Sequence, residues 1–275
     1  MANGATPLFL ASRSTAGGQR FCMLHRPQDA RGAIVYVHPF AEEMNKSRRM
    51  AALQCEALSQ AGWFVLQPDL HGCGDSDGDF NEATWDLWVS DCVEACQWLH
   101  QRSGFAPCLW GLRAGCLLAA AAARQLATKS DLVFWQPVSS GKQHLQQFLR
   151  MKQAGHMLAA SKQAAGGTKQ FSQQLAAGES LEIAGYLLSP ALASGISSAT
   201  LTPPIDAGRV CWFEIKGSGD VDLSPAARED ISTWEDAGWH VFAKAIAGPP
   251  FWQTLEIEEV PELIHATVNI LAQAA

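Results

Sequence analysis

The sequence predicts an α/β fold: a mostly parallel eight-stranded sheet with helices on both faces and a helical cap inserted late in the chain. Three observations carry that expectation. Short apolar runs such as Ala33-Ile34-Val35-Tyr36-Val37 alternate with longer stretches of helical spacing, as strands covered on both faces by crossover helices do. The run Cys108-Leu109-Trp110 enters a Gly111-x-x-x-Gly115 turn and passes straight into a helix rich in alanine, Ala119 to Ala123. Composition then shifts between residues 141 and 204 toward Gln, Lys, Ala and Gly, with Pro203-Pro204 closing the interval. The expected organisation is a core of residues 1–140 and 205–275 and a cap of residues 141–204, with the 107–111 strand central.

Residues 7–12 and 19–25 read as an opening hairpin around Ala16-Gly17-Gly18. The strand at 33–38 ends in a charged stretch through Arg49, read as a loop, before a helix from Ser47 that stops at the C-cap signal Gly62. A strand at 63–69 runs into Leu70-His71-Gly72-Cys73-Gly74-Asp75-Ser76, whose glycines permit a tight turn. Trp85, Trp88, Val89, Cys92, Cys96 and Leu99 then recur at helical spacing, a stripe that packs a core. After the alanine-rich helix comes a strand at 131–138. In the polar interval Leu145, Phe148, Leu149 and Met151 give irregular helical spacing, and Gly166-Gly167 and Gly178 mark breaks. Residues 182–186 and 196–201 read as the return to the body. Strands at 210–215 and 240–245 flank a helix that starts at Ser224-Pro225, and a helix at 260–272 closes the chain.

Composition limits the function. The 275 residues are 48 % hydrophobic, enough to bury one large core. A formal net charge of −7 argues against nucleic acid or an anionic membrane as the main partner. No apolar run is long enough for a transmembrane helix, and residues 2–10 are too short, with no basic start, for a signal peptide. The eight cysteines form no Cys-x-x-Cys pair and read as reduced core thiols of a cytoplasmic protein. Neither a metal site nor a cofactor is expected.

The strand, the paired glycines and the helix at 108–123 resemble the nucleophile elbow of α/β-hydrolases, where Gly-x-Ser-x-Gly forces a sharp turn. Such glycines serve where neighbouring backbone leaves no room for a Cβ, and the residue between them is held in strain. Here that residue is Arg113, which stays protonated, only donates hydrogen bonds and cannot attack a carbonyl. The resemblance implies where the remaining parts would fall. An oxyanion donor would follow the 33–38 strand, yet the residue after His38 is Pro39, which has no N–H. The acid would follow the 210–215 strand, making Asp220 the first candidate and Asp222 the second. The histidine would sit in Gly248-Pro249-Pro250-Phe251-Trp252, which contains none. His240 opens its strand on the order of 20 Å from that edge, His265 lies within the closing helix, and His71 reads as a structural turn residue. Ligand contacts are expected from His38, Phe40, Ala41, Glu42, Asn45 and Arg48 on the first loop. Leu112, Trp135, Gln136, Phe251 and Trp252 are expected to supply the rest.

Five segments carry a closer likeness: 40–48 (Phe-Ala-Glu-Glu-Met-Asn-Lys-Ser-Arg), 111–115, 135–138, 147–150 and 248–254. Together they closely resemble the second type of exosortase A system-associated hydrolase. The likeness implies an α/β-hydrolase fold in which the elbow arginine belongs to the pattern. It also implies a bacterial cytoplasmic accessory protein working beside exopolysaccharide and PEP-CTERM protein-sorting systems.

Two functions follow. The first is a degenerate hydrolase that binds a small anionic ligand or a protein partner of the exosortase system, with Arg113 held by Glu42, Glu43 or Asp220 because an unpaired buried charge is costly. The second is an active hydrolase or acyl-transfer enzyme with non-standard groups. There Arg113 stabilises developing charge and Glu42, Glu43 or Asp220 acts as base. The reading leans to the first, with a homodimer as a further possibility. Cys116 could be a thiolate at the helix N-terminus, but its place on the first turn should aim it into the sheet.

Overall fold

The computed structural model describes residues 4–158, 167–217 and 222–273, apart from the side chains of 152–158. The chain runs β1 (Thr6–Ala11), β2 (Gln19–His25), β3 (Gly32–Val37), α1 (Glu42–Gln60), β4 (Trp63–Pro68), α2 (Trp85–Ser103) and β5 (Cys108–Leu112). It continues through α3 (Ala114–Ala123), β6 (Leu132–Trp135), α4 (Gly141–Leu158), α5 (Thr168–Ala176), β7 (Leu181–Ile183), β8 (Tyr186–Leu188) and α6 (Pro190–Ser198). The last elements are β9 (Arg209–Lys216), α7 (Pro225–Asp236), β10 (His240–Ala247) and α8 (Pro261–Gln273).

The main sheet has eight strands in the order β1-β2-β4-β3-β5-β6-β9-β10. The pairs β1–β2 and β2–β4 are antiparallel, and every pair from β4 to β10 is parallel. The expected α/β class and mostly parallel eight-stranded sheet are therefore observed, and β5 lies inside it with neighbours β3 and β6. β3, β5 and β6 are buried along their whole length, which is why their sequences run apolar without alternation. One core lies between the sheet and α2, α3 and the elements after β6, around Trp88, Leu109, Leu117 and Phe134. The other lies between the sheet and α1 and α8, around Met50, Leu58, Trp110, Trp135 and Leu263.

Two expectations are corrected. The charged stretch after β3 is not a loop, because α1 begins at Glu42. Met44, Ser47, Met50, Ala51, Gln54, Cys55 and Leu58 form its buried stripe, which extends back through the charged residues. Glu42 and Glu43 occupy the first turn, where negative charge suits the positive end of the helix dipole. The segment at 196–201 also differs: α6 reaches Ser198, started by Pro190 behind the Ser189 cap, with Leu192, Ala193 and Ile196 buried.

Between β6 and β9 the chain leaves the sheet to form α4, α5, the β7–β8 hairpin and α6. A single antiparallel bridge, Ser140 to Thr200, joins the two ends of this excursion. The eight cysteines are all free and buried. Among the described residues no helix is long and apolar enough to cross a membrane.

Candidate functional site

Backbone geometry builds the site first. Arg113, between β5 and α3, has φ 56° and ψ −122°, a strained conformation for a residue with a side chain. The flanking glycines make the turn possible: a Cβ on Gly111 would lie 2.6 Å from the Cys116 backbone, and one on Gly115 would lie 2.2 Å from the Val37 carbonyl oxygen. Ala41, between β3 and α1, repeats nearly the same conformation at φ 50° and ψ −126°. Two neighbouring parallel strands thus end in matching sharp turns, each opening a helix, and the side chains of Arg113 and Glu43 meet above them.

The Arg113 Nε donates to Glu43 Oε1 at 3.2 Å, with the two side chains 13 % and 19 % exposed. The guanidinium carbon stands 5.2 Å from the centre of the Trp252 ring, a cation–π contact. Neither contact uses Nη1 or Nη2, which have no hydrogen-bond partner among the described residues. His144, from the first turn of α4, brings Nε2 to 3.9 Å from Glu43 Oε2, beyond hydrogen-bond reach. That leaves Glu43 Oε2 and both ring nitrogens of His144 buried without partners. Burial, with the Arg113 charge adding to it, pushes the His144 pKa down to about 3, so the ring is neutral. Burial raises the Glu43 carboxyl above its ordinary value, against the opposing pull of Arg113.

These groups line a cleft of about 760 Å³, together with Phe40, Glu42, Lys46, Gln147, Phe148, Met151 and Gln253. Lys46 donates to the Gln253 carbonyl across its mouth. Phe40 packs edge-on against both His144 and Phe148. The cleft therefore combines a fixed cation, a carboxylate, a neutral imidazole and an aromatic wall. Among the described residues no cluster of His, Cys, Asp and Glu is suited to hold a metal.

Of the residues expected here, Arg113, Glu42, Glu43, Phe40 and Trp252 line the cleft. The others have different places. His38 is buried, donating from Nδ1 to the Pro39 carbonyl and accepting the Leu70 N–H on Nε2, so both ring nitrogens serve the strand exit. Ala41 is the buried turn residue before α1. Asn45 donates to the Tyr186 hydroxyl at 2.8 Å, tying α1 to the β7–β8 hairpin. Arg48 lies on a second, smaller pocket beside Tyr36, Met44 and Asp69. Leu112, Trp135 and Phe251 are core residues between the sheet and α8, where the Trp135 indole donates to Thr267. Gln136 accepts the Ile215 N–H at 2.6 Å and so links the ends of β6 and β9.

Asp220 lies outside the described residues, and the Asp222 carbonyl accepts from Lys216. Cys116 is fully buried and its thiol is pushed well above its ordinary value, which removes the thiolate reading. The imidazole of His71 rests against Gly78, and its backbone N–H donates to Asp91. His144 was not anticipated. Only the fold brings residue 144 beside residue 43, and the one available signal was its position just before Leu145 and Phe148 on the apolar side of α4.

No protein-family model matches the chain, and no curated protein matches it in sequence. Solved structures do. Est1E from Butyrivibrio proteoclasticus with bound ferulic acid superposes with a TM-score of 0.68 at 14 % identity, covering 97 % of this chain and 98 % of that one. A thermostable carboxyl esterase from Bacillus coagulans in complex with glycerol gives 0.64 at 13 % identity, covering 97 % of each chain. XC6422 from Xanthomonas campestris, an α/β serine hydrolase without a lid, gives 0.51 at 14 %, covering 100 % of this chain and 93 % of that one. The chain therefore has the α/β-hydrolase fold, and at these identities the likeness extends to the fold alone. Within that fold it carries arginine at the elbow and tryptophan in the loop after the last strand.

Proposed function

We propose that this protein is a degenerate α/β-hydrolase that binds a small anionic ligand in the cleft above Arg113 and performs no serine-type hydrolysis. One observation carries the reading. Glu43 holds the guanidinium through Nε and Trp252 covers its face, so the Nη pair is left as a fixed donor fork at a large cleft. A planar fork held in place suits a carboxylate or phosphate, and orienting it beforehand lowers the cost of binding. No hydroxyl nucleophile stands at the elbow, and His144, held near 3, is a poor base at neutral pH.

We also infer a cytoplasmic accessory role beside an exopolysaccharide or PEP-CTERM sorting system. That part rests on the five segments that resemble the second type of exosortase A system-associated hydrolase. An active enzyme using Glu43 as base is the second reading, favoured by the upward shift of that carboxyl toward the working range of a general base.

The test is titration calorimetry with phenylacetate at pH 7.5, run beside fluorophosphonate labelling and p-nitrophenyl acetate hydrolysis. Binding that weakens about tenfold or more in Arg113→Lys, with no labelled serine and background hydrolysis, is expected. Stoichiometric labelling of one serine in the cleft would establish an active serine hydrolase instead. Ester turnover lost in Glu43→Gln would favour the second reading.

A further inference from the structure

We infer that the ligand of this cleft is a 2-hydroxy acid with an apolar body, read by Arg113 through its carboxylate and by the Glu43–His144 pair through its hydroxyl. The inference rests on the anion-binding reading above and adds the hydroxyl to it.

Glu43 Oε2 and His144 Nε2 face each other across 3.9 Å, and neither has a partner. Buried polar atoms are ordinarily satisfied, and leaving several orphaned beside one another is costly. A direct bond is out of reach at that separation. An oxygen about 2.8 Å from each atom, however, fits over the gap with an angle of roughly 90° between its two partners. A hydroxyl has the complementary character, because it can donate to the carboxylate oxygen and accept from a ring N–H. His144 is neutral and so keeps one ring nitrogen as donor and the other as acceptor.

The carboxylate of Glu43 spans both positions, with Oε1 on Arg113 and Oε2 on the gap. The two recognition points are therefore about one carboxylate apart, the spacing of a hydroxyl on the carbon next to an acid group. The lining carries Glu42 and Glu43 against Lys46 and Arg113, so one further negative charge is tolerated, whereas a phosphate dianion would face two carboxylates. Phe40, Phe148 and the exposed Met151 supply an apolar wall for the remainder of the molecule.

Calorimetry with mandelate, phenylacetate and benzyl alcohol on the full chain separates the parts. Mandelate should bind at least about tenfold tighter than phenylacetate, because a site that hydrogen-bonds a substrate hydroxyl penalises the analogue lacking it. Benzyl alcohol should bind weakest. In His144→Phe, which places a ring beside Phe40 and Phe148, the two acids should fall within about twofold of each other while phenylacetate affinity is kept. Arg113→Lys should weaken both acids together. The wild-type ratio of the two acids decides the matter even if the variant does not fold. Equal affinities, both reduced by Arg113→Lys, would overturn the hydroxyl reading and leave anion binding standing. Acids that do not bind, or that bind regardless of residue 113, would overturn both. A preference for mandelate that survives in folded His144→Phe would overturn the assignment to the Glu43–His144 gap.

Discussion

Arg113→Ser restores the residue type that serine hydrolases carry at the elbow, and the structure predicts that it loses stability without gaining activity. The lost contact is an ion pair at 3.2 Å whose side chains are 13 % and 19 % exposed, between the surface and the deep interior. Breaking a fully buried pair costs about 3–5 kcal/mol and an exposed one about 0.2–1 kcal/mol, so about 2 kcal/mol suits this site. Loss of the guanidinium from the face of Trp252 adds about 0.5–1 kcal/mol. At about 2–4 °C per kcal/mol for a chain near this size, Tm should fall by about 5–10 °C at pH 8. The deficit should shrink with acid. Burial already holds the Glu43 pKa above its unfolded value, and losing Arg113 raises it further. A raised folded-state pKa gives stability that is fully present below the unfolded pKa and is lost as pH rises through the folded one. Calorimetric scans at pH 5 and pH 8 should therefore bring variant and wild type closer together at pH 5. Hydrolysis of p-nitrophenyl acetate should stay at background, because the only histidine lining the cleft is held near 3. A variant with unchanged Tm at both pH values, or with measurable esterase turnover, would refute the reasoning.

Asp91 offers a pH test away from the cleft. It accepts from Arg20 Nε at 2.7 Å and from the His71 N–H at 2.8 Å, and burial raises it from 3.8 to about 6. The folded chain thus takes up a proton between about 6 and 3.8 that the unfolded chain does not, favouring folding as pH falls through that window. Asp91→Asn should flatten this part of the urea-midpoint profile, and a profile of unchanged slope would contradict the shift. Gly115→Ala should drop Tm markedly, since the added Cβ meets the Val37 carbonyl oxygen at 2.2 Å in a packed core, at a cost of about 1–3 kcal/mol or more. Gly167→Ala, with nothing within 4 Å, is the control and should leave Tm nearly unmoved.

The fold was legible because its signals are local. Buried parallel strands read as apolar runs, and the glycines at 111 and 115 mark the one turn that forbids a side chain at its flanks. The start of α1 was missed because Ala41 offers no capping side chain and charged residues crowd the first three turns. Its apolar stripe, Met44 to Leu58, was visible only once the helix phase was carried back through them. The Arg113–Glu43 pairing was open to inference as one choice among three carboxylates, because all were expected at one edge of the sheet. His144 was beyond reach, since its proximity to Glu43 depends on how α4 settles over α3 and α6. Trp135 and Gln136 were placed at the cleft from their position at a strand end. The structure turns the indole toward Thr267 and the amide toward β9, because buried N–H groups at the end of β6 and on β9 need acceptors.

The elbow is a socket whose dimensions are set by its rim. Gly111 and Gly115 meet the demands of the turn, and the residue between them keeps its unusual φ and ψ even as a long cation. The insert and the socket are thus separable, and a chain can exchange its chemistry at this point without refolding its frame. A genome survey keyed to serine between two glycines would pass over such chains. One keyed to the rim, a buried strand, two glycines four residues apart and a helix of small residues, would collect them with the esterases and sort them afterwards by what the socket holds.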